Sequence, residues 1–374
     1  MRVLCVIGTR PEAIKTAPVV SELRKYPGRV EVKVCVTGQH REMLDQMLSL
    51  FGIRPDYDLD VMQDGQSLAD VTARVLTGLE PVVAKEKPDW MLVQGDTTTT
   101  VIAALVAFYN RVRVGHVEAG LRTGNKLQPF PEEMNRAIVD RLADLHFVPT
   151  ETARQNLLRE GIDQASIRVT GNTAVDALHW VSALPSPPDV TAWVPATSAR
   201  IVLVTIHRRE NFGPPMESIC GALRELAERY GDRLRIVYPL HLNPNVQVPA
   251  RRLLEGIANV SLLPPLDYLS MVHLMKRSYL MLTDSGGIQE EAPALGKPVL
   301  VLREVTERPE GVASGVAKVV GTDRERIVAE TVRLLEDPVL HERMARAVNP
   351  YGDGHAAERI VEALLNAQAD GAAN

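Results

Sequence analysis

The sequence has little of several things, and each shortage closes a possibility. Only three cysteines occur in 374 residues, Cys5, Cys35 and Cys220, with no Cys-x-x-Cys among them. An odd, dispersed set excludes a disulfide framework and a thiolate zinc site, and it fits a reducing, cytoplasmic home. Cys5 and Cys35 fall inside apolar strand-like runs, where a thiol is a small hydrophobe. Long hydrophobic runs are missing too. Runs such as Ile201–Ile206 and Val299–Leu302 have strand length, and none approaches the ~20 residues a membrane helix needs. Met1-Arg2 leads directly into Val3-Leu4-Cys5-Val6-Ile7-Gly8, which reads as a first strand and not as a signal peptide. There is no basic surplus: Lys+Arg number 21 against 22 Asp+Glu up to Asn172, and 21 against 25 beyond it. A nucleic-acid partner is therefore not expected.

Several motifs are absent as well. No Gly-x-Gly-x-x-Gly follows either candidate first strand, so bound NAD or FAD is not indicated, and there is no Walker loop. A serine nucleophile elbow is lacking. His40, His116, His179 and His241 stand separately, with no spacing that reads as a dedicated metal site. No cofactor and no metal are expected.

What is present is a regular alternation of strand-length apolar runs and amphipathic helices. Strands are expected at Val3–Gly8, Val30–Thr37, Met91–Gln94, Val112–Val117, Leu145–Val148 and Ile167–Thr170. A proline-rich stretch with Pro185, Pro187, Pro188 and Pro195 follows. The rhythm restarts with Arg200–Ile206, Leu234–Tyr238, Val260–Leu263, Leu280–Thr283, Val299–Leu302 and Ala317–Val320. Strand–helix alternation predicts parallel sheets covered on both faces. The expected organisation is an α/β protein with a Rossmann-like, three-layer αβα domain over 1–171, a linker over 172–199 and a second such domain over 200–353. A C-terminal helix and tail over 354–374 would pack back on the first domain. Two such halves imply a cleft.

In open parallel sheets, ligands bind at the carboxyl ends of strands, so polar residues at strand exits carry the information. After the first strand stands Gly8-Thr9-Arg10-Pro11-Glu12-Ala13-Ile14-Lys15. Arg10 and Lys15 put two cations at a helix N-terminus, which is itself positive; that pattern predicts a phosphate or carboxylate there. Gln94-Gly95-Asp96 and Glu118-Ala119-Gly120-Leu121-Arg122 end two consecutive strands, and Pro131-Glu132-Glu133 follows a short loop. Asp96 could be a helix N-cap, and Glu132 or Glu133 an ordinary first-turn acid. Glu118, however, interrupts an apolar strand exit. Three carboxylates converging on a cleft read as an acid/base set, with burial and mutual repulsion pushing their pKa values apart. In the second half, His207-Arg208-Arg209-Glu210-Asn211 and Asp284-Ser285-Gly286-Gly287 end strands, followed by Glu290-Glu291 on a helix. Backbone N–H groups at Ser285–Gly287 suit a phosphate, and Glu291 suits ribose hydroxyls. Thr306-Glu307-Arg308-Pro309-Glu310 adds a guanidinium.

Together these seven motifs, in order from the first strand to about Gly354, resemble the non-hydrolysing UDP-N-acetylglucosamine 2-epimerases. The resemblance implies two Rossmann-like domains in the GT-B arrangement of many glycosyltransferases, and a homodimer. It implies reversible conversion of UDP-N-acetylglucosamine to UDP-N-acetylmannosamine, supplying bacterial surface polysaccharide, with UDP eliminated to a 2-acetamidoglucal and then added back. By position it assigns Asp96, Glu118, Glu132 and His207 as the catalytic group. The same positions, with Arg10, Lys15, Ser285, Gly286, Gly287, Glu291 and Arg308, would hold the UDP-sugar, and Leu266 and Met271 would flank the uracil. Met271 stands where an aromatic is expected, so backbone contact replaces stacking. Some relatives bind a second UDP-N-acetylglucosamine as an activator. That site would here involve Gln39, Glu42, Gly65, Arg208 and His241, where Glu42 and Gly65 replace a glutamine and an arginine, and activation is expected to be weakened. A hydrolysing epimerase, a GT-B glycosyltransferase and a non-catalytic nucleotide-sugar sensor are the competing readings.

Overall fold

A computed structural model describes residues 1–38, 41–63, 65–194 and 199–372. The chain divides into two compact units, Met1–Ala177 with Tyr351–Asn374, and Leu178–Pro350. The first unit holds seven parallel strands: β1 (Arg2–Ile7), β2 (Glu31–Val36), β3 (Tyr57–Asp58), β4 (Trp90–Gln94), β5 (Arg113–Val117), β6 (Leu145–Val148) and β7 (Ile167–Val169). Their order across the sheet is β3-β2-β1-β4-β5-β6-β7. The second unit holds β8 (Arg200–Thr205), β9 (Leu234–Pro239), β10 (Val260–Leu263), β11 (Leu280–Thr283), β12 (Val299–Val301) and β13 (Ala317–Val319), in the order β10-β9-β8-β11-β12-β13. Each sheet therefore reverses direction beside its first strand, between β1 and β4 and between β8 and β11. That reversal is the Rossmann switch point, where strand exits open a crevice.

The strands form because they are buried on both faces, so nearly every residue is apolar. Val3 to Ile7 of β1 and all of β4 are buried. One core gathers Leu4, Val6, Met91, Val93 and Ala103; the other gathers Val202, Val204, Ile236, Tyr238 and Leu282. β3 was not expected. It has two residues, paired with Cys35 and Val36 at the sheet edge. The stretch expected as a linker over 172–199 contains helices Thr173–Ala183 and Pro188–Trp193, and the division between the units falls inside the first of them. The C-terminal helix Ala356–Ala372 lies on the first unit: Arg359 Nη1 donates to the Thr170 carbonyl at 3.0 Å, and the Ala357 N–H donates to Asp176 Oδ1 at 2.8 Å.

Candidate active site

At the exit of β1, the helix Arg10–Leu23 starts immediately and Glu12 folds back over its N-terminus. Oε2 of Glu12 accepts the N–H groups of Gly8 and Thr9, each at 2.6 Å. Oε1 accepts the hydroxyls of Thr97 at 2.6 Å and Thr100 at 2.9 Å. Burial pushes the Glu12 carboxyl above its usual range, and these four donors pull it back only in part. Gly8 cannot be replaced here, because a Cβ would stand 2.5 Å from Thr99 Oγ1. The carboxylate expected beside Arg10 and Lys15 is thus supplied from within the chain, by Glu12. The two N–H groups that a phosphate would have used are taken by the protein's own carboxylate, and Lys15 is paired inside the unit. Arg10, half-buried, has no hydrogen bond or ion pair among the described residues.

Lys15 Nζ lies 2.5 Å from Glu118 Oε1. Glu118 follows β5 with φ +67°, a left-handed conformation that costs a non-glycine residue roughly 1–2 kcal/mol and that clusters at functional sites. The structure holds it there with donors on every side: Asn172 Nδ2 reaches Oε1 at 3.2 Å, Gln94 Nε2 reaches Oε2 at 2.5 Å, and its own N–H donates to the Phe147 carbonyl. Asp96 follows β4. It is not the cap of the next helix; Thr97 is, accepting from the Thr100 N–H. Asp96 Oδ2 instead meets Arg136, at 2.8 Å from Nε and 2.7 Å from Nη2, and its carbonyl accepts from Asn135 Nδ2. Glu132, at the start of helix Glu132–Leu142, is half-buried and has no partner among the described residues. Its neighbour Glu133 is buried and closes the preceding loop, accepting from the N–H groups of Thr123 and Gly124. The expectation of mutual repulsion gives way to separate compensation, since Glu118 has Lys15 and Asp96 has Arg136. Gln94, Asn172, Asn135 and Arg136 are site residues that sequence reasoning assigned no role. A polar glutamine ending the apolar β4 was the one visible signal.

In the second unit the buried Asp284, at the exit of β11, organises the exit of β8. It accepts the N–H of His207 at 3.0 Å and of Arg208 at 2.8 Å, and Asn211 Nδ2 at 3.0 Å. His207 Nδ1 stands 3.2 Å from Asp284 Oδ1, with the imidazole 41% exposed. Burial pushes the Asp284 carboxyl up, but the His207 side chain and the backbone N–H groups outweigh it and hold it below the usual range. The aspartate thus fixes an accessible imidazole. The helix Gly286–Ala294 begins directly afterwards with Ser285 as an N-cap that makes no side-chain cap bond. A Cβ on Gly286 would meet Arg208 Nη2 at 3.6 Å and Arg308 Nη2 at 4.0 Å. An uncapped helix N-terminus with two guanidinium groups beside it is electrostatically suited to an anion. Arg308 is aimed by Glu290 and by its N–H bond to Thr306 Oγ1 at 3.0 Å. Glu291 accepts from the Tyr268 hydroxyl at 3.1 Å. That bond joins this helix to Tyr268–Arg277, which carries the half-buried Met271 and follows the half-buried Leu266.

Of the residues expected at a second ligand site, His241 and Arg208 lie near His207 and Glu307: the two imidazoles are 6.2 Å apart, and Arg208 Nη2 is 3.9 Å from Glu307. Gly65, in the other unit, has φ +71° and open space around it. Gln39 and the side chain of Glu42 lie outside the described residues. Among the described residues no group of His, Cys, Asp and Glu could hold a metal ion, and no helix is long and apolar enough to cross a membrane.

A chain with two Rossmann-type parallel sheets and polar side chains at the strand exits of both has the two-domain α/β architecture of GT-B-like proteins. Acinetobacter baumannii MurG shares the fold, with a TM-score of 0.62 at 14% identity. The family model for UDP-N-acetylglucosamine 2-epimerase matches residues 21–365. The UDP-N-acetylglucosamine 2-epimerase of Escherichia coli K12 is 56% identical over 98% of this chain and 99% of its own; that of Yersinia pestis is 55% identical over 98% and 99%. The Neisseria meningitidis enzyme, solved bound to UDP-GlcNAc, superposes with a TM-score of 0.87 at 49% identity, covering 98% of this chain and all of the other. The chain belongs to the UDP-N-acetylglucosamine 2-epimerase family.

Proposed function

We propose that this protein interconverts UDP-N-acetylglucosamine and UDP-N-acetylmannosamine by the non-hydrolysing route. A carboxylate removes the C2 proton, and the C2–H electron pair becomes the C1=C2 bond. The C1–O bond breaks, and UDP leaves with its electron pair. UDP then adds back to C1 while a proton is delivered to the opposite face of C2. The observation that carries this reading is Glu118, a carboxylate forced into a left-handed backbone at a strand exit and gripped by Lys15, Gln94 and Asn172. Strain of that kind persists where the surroundings over-determine it. With Asp96 and Glu132 it forms the proton-transfer set. Lys15 acts as its counter-ion, which keeps the base ionised.

In this reading His207 and Arg308, with the N–H groups of Ser285, Gly286 and Gly287, receive the charge that develops on the departing diphosphate. Arg10 adds a further cation, Glu291 meets the ribose, and Leu266 and Met271 flank the base. The product feeds bacterial surface polysaccharide. The working form is a homodimer, supported by exposed Phe108, Tyr109 and Ile138 on the neighbouring helices Thr98–Tyr109 and Glu132–Leu142; sedimentation velocity tests it. The deciding experiment is a proton NMR time course with UDP-N-acetylglucosamine in D2O. Deuterium at C2 in a mixture of both UDP-sugars is expected. Free N-acetylmannosamine with UDP would place the protein on a hydrolysing route, and an inert C2 proton would remove the epimerase reading.

A further inference from the structure

Beneath the two strand exits that carry Asp96 and Glu118 lies a polar cluster that the proposed chemistry does not use. His116, on β5, is completely buried, and so is the Asp140 side chain that faces it. Nε2 of His116 is 2.7 Å from the carbonyl of Gly95, to which it can only donate. Nδ1 is 2.6 Å from Asp140 Oδ1, also an acceptor. Both ring nitrogens thus face acceptors, and the Asp140 carboxylate lies within ion-pair distance of the ring. The other oxygen of Asp140 accepts the Gly120 N–H at 3.3 Å and Arg122 Nη2 at 2.7 Å. Arg122 is anchored in turn on Glu160 at 2.7 and 2.8 Å.

The sequence positions of those contacts give the cluster its meaning. Gly95 immediately precedes Asp96. Gly120 follows Glu118 by two residues and admits no side chain, since a Cβ would stand 2.5 Å from the Ala153 carbonyl. Both glycines have positive φ, +76° and +80°. One buried His–Asp pair therefore ties down the two turns that aim the two carboxylates. Asp140 belongs to helix Glu132–Leu142, the same helix whose Asn135 and Arg136 hold the Asp96 carbonyl and carboxylate and whose first residue is Glu132. A single rigid element thus indexes all three candidate carboxylates. A buried pair is a poor source of net stability compared with apolar packing of the same volume, so its retention needs another reason. Positioning supplies one, because a misplacement of about 1 Å can cost roughly 100-fold in rate.

Resting on the epimerase reading, we propose that His116 and Asp140 are positioning residues that fix the Asp96 and Glu118 turns relative to each other. Neither touches substrate. The pair acts on the proton-transfer step and leaves nucleotide binding alone, because the proposed diphosphate contacts lie at other strands.

The test compares His116→Leu, His116→Gln and Asp140→Asn by C2 deuterium incorporation, KM and UDP binding by calorimetry. His116→Leu removes both bonds at similar volume; kcat is expected to fall by about 100-fold, with KM within threefold and UDP affinity unchanged. His116→Gln can still donate to the Gly95 carbonyl and should recover at least tenfold of that loss. Asp140→Asn keeps an acceptor for Gly120 and a donor for the imidazole while removing the charge, and kcat should stay within tenfold of the parent. A folded Leu variant with kcat within threefold of the parent overturns the proposal, as does a Gln variant no better than Leu. If the Leu variant does not fold, the Gln variant decides: a loss in KM alone overturns the proposal, and a loss in kcat alone supports it. Failure of the parent protein to exchange its C2 proton would instead sink the epimerase reading itself.

Discussion

Replacing Glu118 by glutamine separates its chemical role from its structural one, and the geometry says how cleanly. The glutamine oxygen can keep the Oε1 position and accept from both Lys15 and Asn172. Its NH2 group then faces Gln94, whose own amide turns round to offer its oxygen, so no donor is set against a donor. The left-handed backbone is as tolerable for glutamine as for glutamate. What is lost in stability is one ion pair to a lysine whose side chain is 18% exposed, about 1 kcal/mol. In a unit of this size that lowers Tm by about 2–4 °C. What is lost in chemistry is the base. Positioned proton transfer contributes about 10²–10⁴-fold in rate, or roughly 3–5 kcal/mol at the transition state. Exchange of the C2 proton followed by NMR, with UDP binding measured on the same samples, should therefore fall by two to four orders of magnitude while UDP affinity stays within about tenfold. An exchange rate within threefold of the parent would remove Glu118 from the proton-transfer set. Loss of UDP affinity instead would show that the Glu118 network serves the nucleotide.

Three further outcomes are expected. Glu12→Ala takes the acceptor from the Gly8 and Thr9 N–H groups, while the Thr97 and Thr100 hydroxyls keep each other and the Gln94 carbonyl; at about 1–3 kcal/mol for each unsatisfied group, Tm should fall by more than about 3 °C, and an unchanged melt would refute the internal-carboxylate account. The Asp140 carboxyl is buried, which raises its pKa, but its contacts with His116 and Arg122 bring it from 3.8 down to about 2. A folded pKa below the unfolded one means a contribution of roughly 2 kcal/mol that is fully present above about pH 4 and lost as pH falls through 2. The stability gap between parent and Asp140→Asn, measured by denaturant unfolding, should narrow over that window, and a gap independent of pH would contradict it. The resemblance implies that Gly65 and Glu42 stand in place of a cation and a neutral amide; on that expectation the forward rate should rise hyperbolically with UDP-N-acetylglucosamine, and a sigmoidal curve would restore the activator site.

The strands were legible because burial on both faces leaves an apolar run that periodicity cannot hide. β3 escaped because two residues, one of them exposed, carry no pattern. Helix Thr173–Ala183 escaped for a different reason. Its buried Val175, Leu178 and Val181 recur every three residues, but the prolines that follow drew the whole stretch into an apparent linker. In the site, Asp96, Glu118 and His207 were visible as polar residues at strand exits. Their partners were not: Lys15 is 103 residues from Glu118 and Asn172 is 54, and neither distance is marked in a single sequence. Glu12 was not singled out, because nothing in the run Gly8–Lys15 shows that its carboxylate folds back onto the Gly8 and Thr9 N–H groups.

The two units solve the same topological problem with opposite electrostatics. After the fourth strand in order in the first sheet, Thr97 caps the helix and Glu12 fills the neighbouring helix start, so both N-termini are satisfied internally. After the corresponding β11, Ser285 makes no cap and Arg208 and Arg308 stand over the glycine that follows. A helix end that is already neutralised has little left to give a diphosphate, whereas an uncapped end keeps its N–H groups for one. The identical strand order therefore does not distinguish the two units; the caps do, and the proposed placement of the nucleotide on the second unit rests on them. In that reading the first unit, with its helix starts filled, holds ionised carboxylates at its strand exits and contributes Arg10 to the diphosphate. A proton-abstracting base needs few cations beside it, since every nearby cation that stabilises its charged form also weakens it as a base. Glu118 is given one such cation, Lys15, and the remaining donors around it are neutral amides.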